Sequence, residues 1–439
     1  MEGKIKAELV FIPSPGRGHL PAALEMAKLL VNRDQRLSVT VLLTQSSNDT
    51  KNSLGSYSRI RLVNLPQLEP PSNSTLQKHV RNEAAKLRNL VGFVVDIFCT
   101  SMIDVAHELG VPAYLFFTSG AATLGLLLHL QGLLDHENQD PTVFKSPNDE
   151  IFVPSYGSPF PVKFLPTMLL GDNQMAMDMA RRIRRTKGII VNTFSELEIP
   201  AMKFLSQDEK TPPVYPVGPV LHVDSVDDRN PIMKWLDDQP DSSVVFLCFG
   251  SNGFFDETQV REIALALENC GHRFLWSLRK PSGEYEDLSE VLPEGFIERT
   301  AGIGKVIGWA PQVDILSHRA VGGFVSHCGW NSTLESIWCG VPMAVWPLFG
   351  EQSVNAFQLV KDLGVAVEIN MEYKKSSANM IVRADEIMNG IRRLMEPVSD
   401  IRVKVEALKV KSRMAVGENG SSFESIGRFI SHVMVNINA

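Results

Sequence analysis

The sequence predicts two doubly wound α/β domains, each a parallel sheet with helices on both faces. Three observations carry this. Short, almost wholly apolar runs such as residues 7–13 and 243–249 alternate with longer helical patterns. A strand that is apolar at every position is buried on both faces, as in parallel sheets. The alternation breaks once, over residues 211–231, and then restarts. The chain's 439 residues also suit two or three domains at about 150 residues each.

In the first half, strands are predicted over residues 7–13, 37–44, 59–65, 91–98, 113–118 and 188–192, with a helix over 21–32. Residues 211–231 hold Pro212, Pro213, Pro216, Pro219 and Pro231 with Asp224, Asp227 and Asp228, which reads as a linker. In the second half, strands follow over 243–249, 273–278, 304–309, 322–326, 342–346 and 365–369. A helix over 256–269 opens with Asp256 and Gln259 three apart, the spacing of a capping box. The expected boundaries are a first domain over 1–217, a linker over 218–230, a second domain over 231–420 and a terminal helix in 421–439. No internal repeat or low-complexity tract is visible.

Composition excludes several functions. Forty-three Lys and Arg against fifty Asp and Glu leave a net charge of −7, with no basic block. Such a chain is a poor binder of nucleic acid or anionic membranes. Any anionic ligand must be held locally, by backbone amides and a few side chains. Cys99, Cys248, Cys270, Cys328 and Cys339 are odd in number and form no C-x-x-C, which argues against a disulfide scaffold or a zinc site. Reduced thiols and a cytoplasmic location are expected. The first ten residues run straight into a strand, so no signal peptide is expected. The most apolar long stretch, 120–134, is interrupted by His129 and Gln131 and is shorter than the roughly 20 residues of a membrane span.

Two segments carry chemistry. The first, Ser14-Pro15-Gly16-Arg17-Gly18-His19-Leu20-Pro21, lies at the first strand-to-helix junction, where doubly wound folds bind ligands. Gly16 and Gly18 match a dinucleotide fingerprint, but Pro21 replaces its third glycine. Thr44-Gln45 stands where a ribose-binding acid belongs. A nicotinamide oxidoreductase is therefore unsupported. His19 in this turn suits a general base at neutral pH. Asp96 or Asp104 could orient its imidazole, and sequence spacing does not choose between them. No G-x-S-x-G elbow is present, so a serine hydrolase is unsupported as well.

The second segment, residues 309–352, reads WAPQVDILSHRAVGGFVSHCGWNSTLESIWCGVPMAVWPLFGEQ. A strand ends at Ser326, a tight turn follows, and a helix runs over 331–339 with Gly340 at its C′ position. Asn331 and Ser332 sit at the helix N-terminus, an anion site made of unpaired amides and the helix dipole. His327 stands just before it. Glu335 shares a face with Asn331 and suits ribose hydroxyls. Trp309 offers a flat ring for a base.

This segment resembles the signature box of the plant family-one UDP-sugar-dependent glycosyltransferases. The resemblance extends along the chain from residues 12–19 through Leu65-Pro66-Gln67-Leu68 and residues 188–197 to the carboxyl terminus. It implies a GT-B fold: two Rossmann-like domains facing a cleft, the first for acceptor and the second for nucleotide sugar, with the terminal helix crossing back to the first. It implies metal-independent transfer with inversion, no cofactor, and UDP-glucose as co-substrate. By resemblance His19 is the base and Asp104 its carboxylate partner, which makes Asp96 structural. Trp309 stacks on uracil, the Ala310 backbone pairs with its edge, and Gln312 and Glu335 hold ribose. Gly18 belongs to the donor side, and Ser251, His327, Asn331 and Ser332 hold the phosphates. Thr118, Trp330, Glu351 and Gln352 meet the sugar, and Gln352 favours glucose.

The expected reaction is transfer of glucose to a hydroxyl of a small hydrophobic plant metabolite, phenolic, flavonoid or terpenoid. The expected protein is a monomer without nucleic-acid or membrane partners. The alternative is a non-catalytic UDP-sugar or small-hydrophobe binder on the same fold, against which the joint presence of His19 and Asp104 weighs. Two departures stand out. Asn252 replaces the usual methionine after Gly250-Ser251, and residues 70–76 and 171–173 are shorter than the family usually has.

Overall fold

The structure, a computed structural model, describes residues 7–16, 18–44, 57–66, 72–137, 139, 146, 148–170, 173–222, 230–281, 283–373 and 380–436. The chain divides into two compact units. Unit 1 comprises Met1–Pro141, Asp172–His222 and Met414–Ala439, and unit 2 comprises Thr142–Gly171 and Val223–Arg413.

Unit 1 opens with β1 (Ala7–Ile12), α1 (Leu20–Arg33), β2 (Leu37–Leu43), β3 (Ile60–Asn64) and α2 (Asn73–Ala84). It continues with β4 (Leu90–Asp96), α3 (Met102–Glu108), β5 (Ala113–Phe117) and α4 (Ala121–Glu137). The chain then leaves for a small hairpin, β6 (Glu150–Ile151) and β7 (Phe160–Pro161), and returns with α5 (Gln174–Ile183), β8 (Gly188–Val191), α6 (Ile199–Gln207) and β9 (Val214–Pro216). Among the described residues these strands form a seven-stranded parallel sheet in the order β3-β2-β1-β4-β5-β8-β9.

Unit 2 carries α7 (Pro231–Asp237), β10 (Val244–Cys248), α8 (Glu257–Asn269), β11 (Arg273–Ser277), α9 (Phe296–Thr300), β12 (Gly304–Ile307) and α10 (Gln312–Ser317). It continues with β13 (Val321–Ser326), α11 (Trp330–Cys339), β14 (Met343–Val345), α12 (Gln352–Phe357), β15 (Ala366–Glu368), α13 (Ala384–Leu394) and α14 (Asp400–Val416). Its parallel sheet has the order β12-β11-β10-β13-β14-β15 among the described residues. The last helix, α15 (Ser421–Val435), belongs to unit 1.

Burial explains this division. Phe429, Ile430 and Val433 of α15 sit in the same core as Phe11, Val39, Val94 and Phe116. Burying one such side chain contributes about 1.5–3 kcal/mol. Tyr215 Oη lies 2.7 Å from His432 Nδ1, tying β9 to the same helix. In unit 2, Val245, Leu247, Phe274, Trp276, Val325 and Trp346 form the core.

The boundaries differ from the expected ones in two places. The proline-rich stretch is not linker throughout: residues 214–216 add the seventh strand. Asn192 then pins Val220 to unit 1 with its Nδ2 donating at 3.2 Å and its Oδ1 accepting at 2.7 Å. The remaining linker positions 223–229 lie outside the described residues, as do Gln67 and Leu68 of the quoted motif and residues 70–71 and 171–172 of the two shortened segments. Residues 142–171, expected in the first domain, belong to unit 2. Lacking a large sheet of their own, their aromatic residues pack on α12. Tyr156, Phe160 and Phe164 surround Phe357 with ring centroids 5.9, 4.8 and 5.9 Å away, and Ser353 Oγ donates to the Phe164 carbonyl at 2.8 Å.

The expected capping box is only half formed. Asp256 accepts from the Gln259 N–H at 2.8 Å, but the Gln259 side chain turns inward to the backbone of Val382. Gly340 closes α11 with φ 76°, the left-handed cap that glycine adopts without strain.

Candidate functional site

Chemistry gathers at the carboxyl ends of the strands in each unit, where doubly wound sheets expose loop residues. In unit 1 three neighbouring strands, β1, β4 and β5, deliver one residue each. The turn after β1 is closed by His19 N–H donating to the Gly16 carbonyl at 2.9 Å, which leaves His19 as the N-cap of α1 and Pro21 in its first turn. Gly18 is exposed in this turn. Ile12 pairs with Val95, and Asp96 with Phe116, so the register places Asp96 beside the ends of both neighbours.

His19 Nδ1 donates to Asp96 Oδ2 at 2.7 Å. The other Asp96 oxygen accepts from Phe98 N–H at 3.0 Å, so the nearly buried carboxylate is fixed at both ends. Thr118 Oγ1 lies 3.1 Å from the same His19 nitrogen. Thr118, expected at the sugar, has its hydroxyl against the His19 imidazole. Phe98, 58% exposed, meets the imidazole edge-on at 5.4 Å.

Asp104 is not the partner of His19. It lies in the first turn of α3, where its oxygens accept from Arg182 at 2.6 Å and Arg185 at 2.9 Å. Partial burial opposes its ionisation, but the hydrogen bonds and charges of the two guanidinium groups outweigh burial and hold its pKa below the ordinary value. The assignment fails because α3 starts a new direction after β4. Only the residue that ends the strand stays beside β1.

In unit 2, Trp309 follows β12 and is 47% exposed. Its backbone N–H donates to Glu284 Oε1 at 2.6 Å, and the Arg279 guanidinium lies over its ring at 5.1 Å. Arg279 also donates to the Ser251 carbonyl at 3.0 Å, joining the loop after β10 to the stacking ring. Ala310 is buried beside Trp309. Gln312 Nε2 donates to Ser332 Oγ at 2.8 Å and to Glu335 Oε2 at 2.5 Å. The two residues expected to hold ribose are therefore in direct contact.

His327 closes β13 and packs between two glycines. A Cβ on Gly250 or Gly329 would lie 2.5 Å from its Nε2, so both positions require glycine. Burial pushes the His327 pKa down to about 4, which keeps the ring neutral at pH 7. Its Nδ1 is buried without a hydrogen-bond partner. Such an atom costs about 1–3 kcal/mol. Cys328 follows with φ 64°, a strained conformation for a residue with a side chain, held by Asn355 Nδ2 donating to its carbonyl at 3.0 Å.

This turn starts α11 at Trp330, with Asn331 and Ser332 in the first turn, where N–H groups have no acceptor within the helix. The Trp330 side chain is buried, so its backbone is what the turn can present. Glu351 is the N-cap residue of α12 and Gln352 its first residue. Gln352 Oε1 accepts from the N–H groups of Leu348 at 2.9 Å and Phe349 at 3.1 Å, which leaves its amide nitrogen to donate elsewhere.

Asp96 was visible in sequence as the end of an apolar run. Arg279 could have been noted as a cation just past a strand. Glu284 and Asn355 carried no signal, since their contacts depend on loop paths. The five cysteines are free thiols, four of them buried. Among the described residues no helix is long and apolar enough to cross a membrane, and no group of three His, Cys, Asp or Glu side chains is placed to hold a metal ion.

Residues 221–394 match the family model described as UDP-glucoronosyl and UDP-glucosyl transferase. The chain is 48% identical to UDP-glucose flavonoid 3-O-glucosyltransferase 6 of Fragaria ananassa, over 99% of this chain and 100% of that one. That alignment runs over 480 positions, more than the 439 residues here, so this chain lacks internal segments that its relative has. Among solved structures, a UGT transferase from Siraitia grosvenorii in complex with UDP is 48% identical, with TM-score 0.90 over 98% of this chain and 100% of that one. UGT71G1 of Medicago truncatula complexed with UDP-glucose is 41% identical, with TM-score 0.89 over 98% and 99%.

Proposed function

The chain belongs to the plant family-one UDP-glycosyltransferases and is a UDP-glycosyltransferase of two Rossmann-like units, and from that premise we propose how it acts and on what. It transfers glucose from UDP-glucose, with inversion, to a hydroxyl of a small hydrophobic plant metabolite of the phenolic, flavonoid or terpenoid class. The observation that carries the mechanism is the 2.7 Å contact of His19 Nδ1 with Asp96. It directs Nε2 to the substrate and stabilises the imidazolium once a proton arrives.

His19 Nε2 takes the acceptor proton as the acceptor oxygen attacks C1 of the sugar. The C1–O bond to UDP breaks, and its electron pair goes to the diphosphate. That growing charge is met by the amides and dipole at the start of α11 and by a neutral His327 donating a hydrogen bond. Trp309 stacks the uracil, Gln312 and Glu335 hold the ribose diol, and Gln352 donates to a sugar hydroxyl. The glucose and flavonoid readings are supported by the strawberry relative's name, and the donor reading by the UDP and UDP-glucose complexes of similar chains.

The test is an acceptor screen with UDP-glucose over phenolic and terpenoid hydroxyl compounds, read by mass spectrometry, with His19→Ala beside the wild type. The expected result is a glucoside from the wild type and almost none from the variant. Wild-type silence across the panel, or undiminished transfer by the variant, would overturn the proposal.

A further inference from the structure

Among the described residues the mechanism leaves one buried acid unused. Glu198, 1% exposed, lies just before α6, yet its carboxyl group reaches the start of α4. Oε2 accepts from Ala121 N–H at 2.8 Å and Oε1 from Ala122 N–H at 2.9 Å. These are the first two residues of α4, whose amides have no acceptor within their own helix. A local serine stands two residues upstream, but Ser119 Oγ is buried without a hydrogen-bond partner and does not cap the helix. The cap comes instead from 77 residues away. Burying a carboxyl group is costly unless each oxygen is satisfied.

The clamp acts on a short turn. Only Thr118, Ser119 and Gly120 separate β5 from α4. The turn is held by the β-ladder at one end and by Glu198 at the other. Its first residue places Oγ1 3.1 Å from His19 Nδ1. We propose that Glu198 is a positioning residue for the catalytic base, fixing the turn that holds Thr118 against His19. The proposal rests on the reading of His19 as base.

The experiment is a double-mutant cycle with Glu198→Gln and Thr118→Val, measuring kcat, both KM values and the pH–rate profile. Glutamine keeps the shape but turns an NH2 toward one of the two amides. The expected result is a fall of about tenfold in kcat for each single variant. The KM for UDP-glucose stays unchanged in Glu198→Gln, because Trp309, Gln312 and Glu335, proposed above to hold the uridine, are in unit 2. The acid limb of the profile shifts together in both variants, and the double variant is no worse than either. Multiplied losses in the double variant, or a lower melting temperature with unchanged kcat and pH profile, would overturn the proposal. If Glu198→Gln fails to fold, Glu198→Asp carries the same cycle, with UDP affinity confirming an intact unit 2. His19→Ala is run alongside: full activity there would defeat the base assignment itself, whereas its loss with an additive cycle would defeat only the role of Glu198.

Discussion

Asp96 bridges two chain segments: one oxygen receives His19 Nδ1 at 2.7 Å and the other receives Phe98 N–H at 3.0 Å. An acid held at both oxygens cannot swing away when the imidazole gains a proton. It therefore orients the ring and offsets its charge.

Asp96→Asn keeps the shape and removes that charge. The expected loss in kcat is about 10³–10⁴-fold, the scale seen when the acid of a comparable triad becomes an amide. Asp104→Asn is the contrast. Its partners Arg182 and Arg185 are a third to a half exposed, and such pairs contribute about 0–1 kcal/mol. Its kcat should stay at the wild-type level, with a small drop in melting temperature. Steady-state kinetics on both variants checks the assignment, and a catalytic collapse in Asp104→Asn would reverse it.

The contrast between these acids shows where sequence reading stops. Strand existence was legible because burial on both faces demands apolar runs: residues 113–118 and 188–192 were predicted, and β5 and β8 fall inside them. Residues 309–352 stood out as one segment because stacking, anion binding and ribose contact need particular residue types at fixed spacing, and the structure brings Gln312, Ser332 and Glu335 of that segment into contact. The partner of His19 was not legible, because adjacency across a sheet depends on strand order. Once β1 lies beside β4, the residue that ends β4 is the neighbour. The transfer of residues 142–171 to unit 2 was hidden for the same reason: the aromatic pattern says these residues bury, not against what.

Trp309 makes a separable prediction. Its ring is half exposed and its backbone is held by Glu284. Trp309→Ala should weaken UDP binding about 10–100-fold, the value of about 1–3 kcal/mol for a base stacked on an aromatic ring. Glu284→Ala should weaken it less, since the ring remains. Calorimetric titration with UDP measures both, and equal affinities for Trp309→Ala and the wild type would remove the stacking role.

His327 ties the donor-side turn to pH. Its pKa falls from 6.5 to about 4 because burial disfavours the charged ring. The unfolded chain therefore binds a proton that the folded chain refuses between these values. Stability is complete above pH 6.5 and declines as pH drops toward 4, by roughly 3 kcal/mol for this residue. His272 and His432, also lowered by burial, tilt the curve the same way. Thermal unfolding from pH 7 to 4.5 should show this slope, and His327→Gln should flatten it. An unchanged slope in the variant would mean that His327 titrates normally.

Gln352 tests how the donor sugar is read. Its Oε1 is committed to the N–H groups of Leu348 and Phe349, so recognition falls to Nε2, a donor with two hydrogens. Gln352→Glu preserves the oxygen that holds the loop and replaces the donor by an acceptor. A sugar hydroxyl can still donate to that oxygen, but a fixed donor is lost and a charge is added in a buried position. The expected result is a rise of about 10–100-fold in the KM for UDP-glucose, the cost of leaving a built polar site mispaired. Affinity for UDP alone should not change, because Trp309, Gln312 and Glu335 are untouched. Comparing the two ligands in one titration series isolates the sugar contact. An equal loss for UDP and UDP-glucose would point instead to collapse of the loop that Gln352 supports, and a wild-type KM would remove Gln352 from donor recognition.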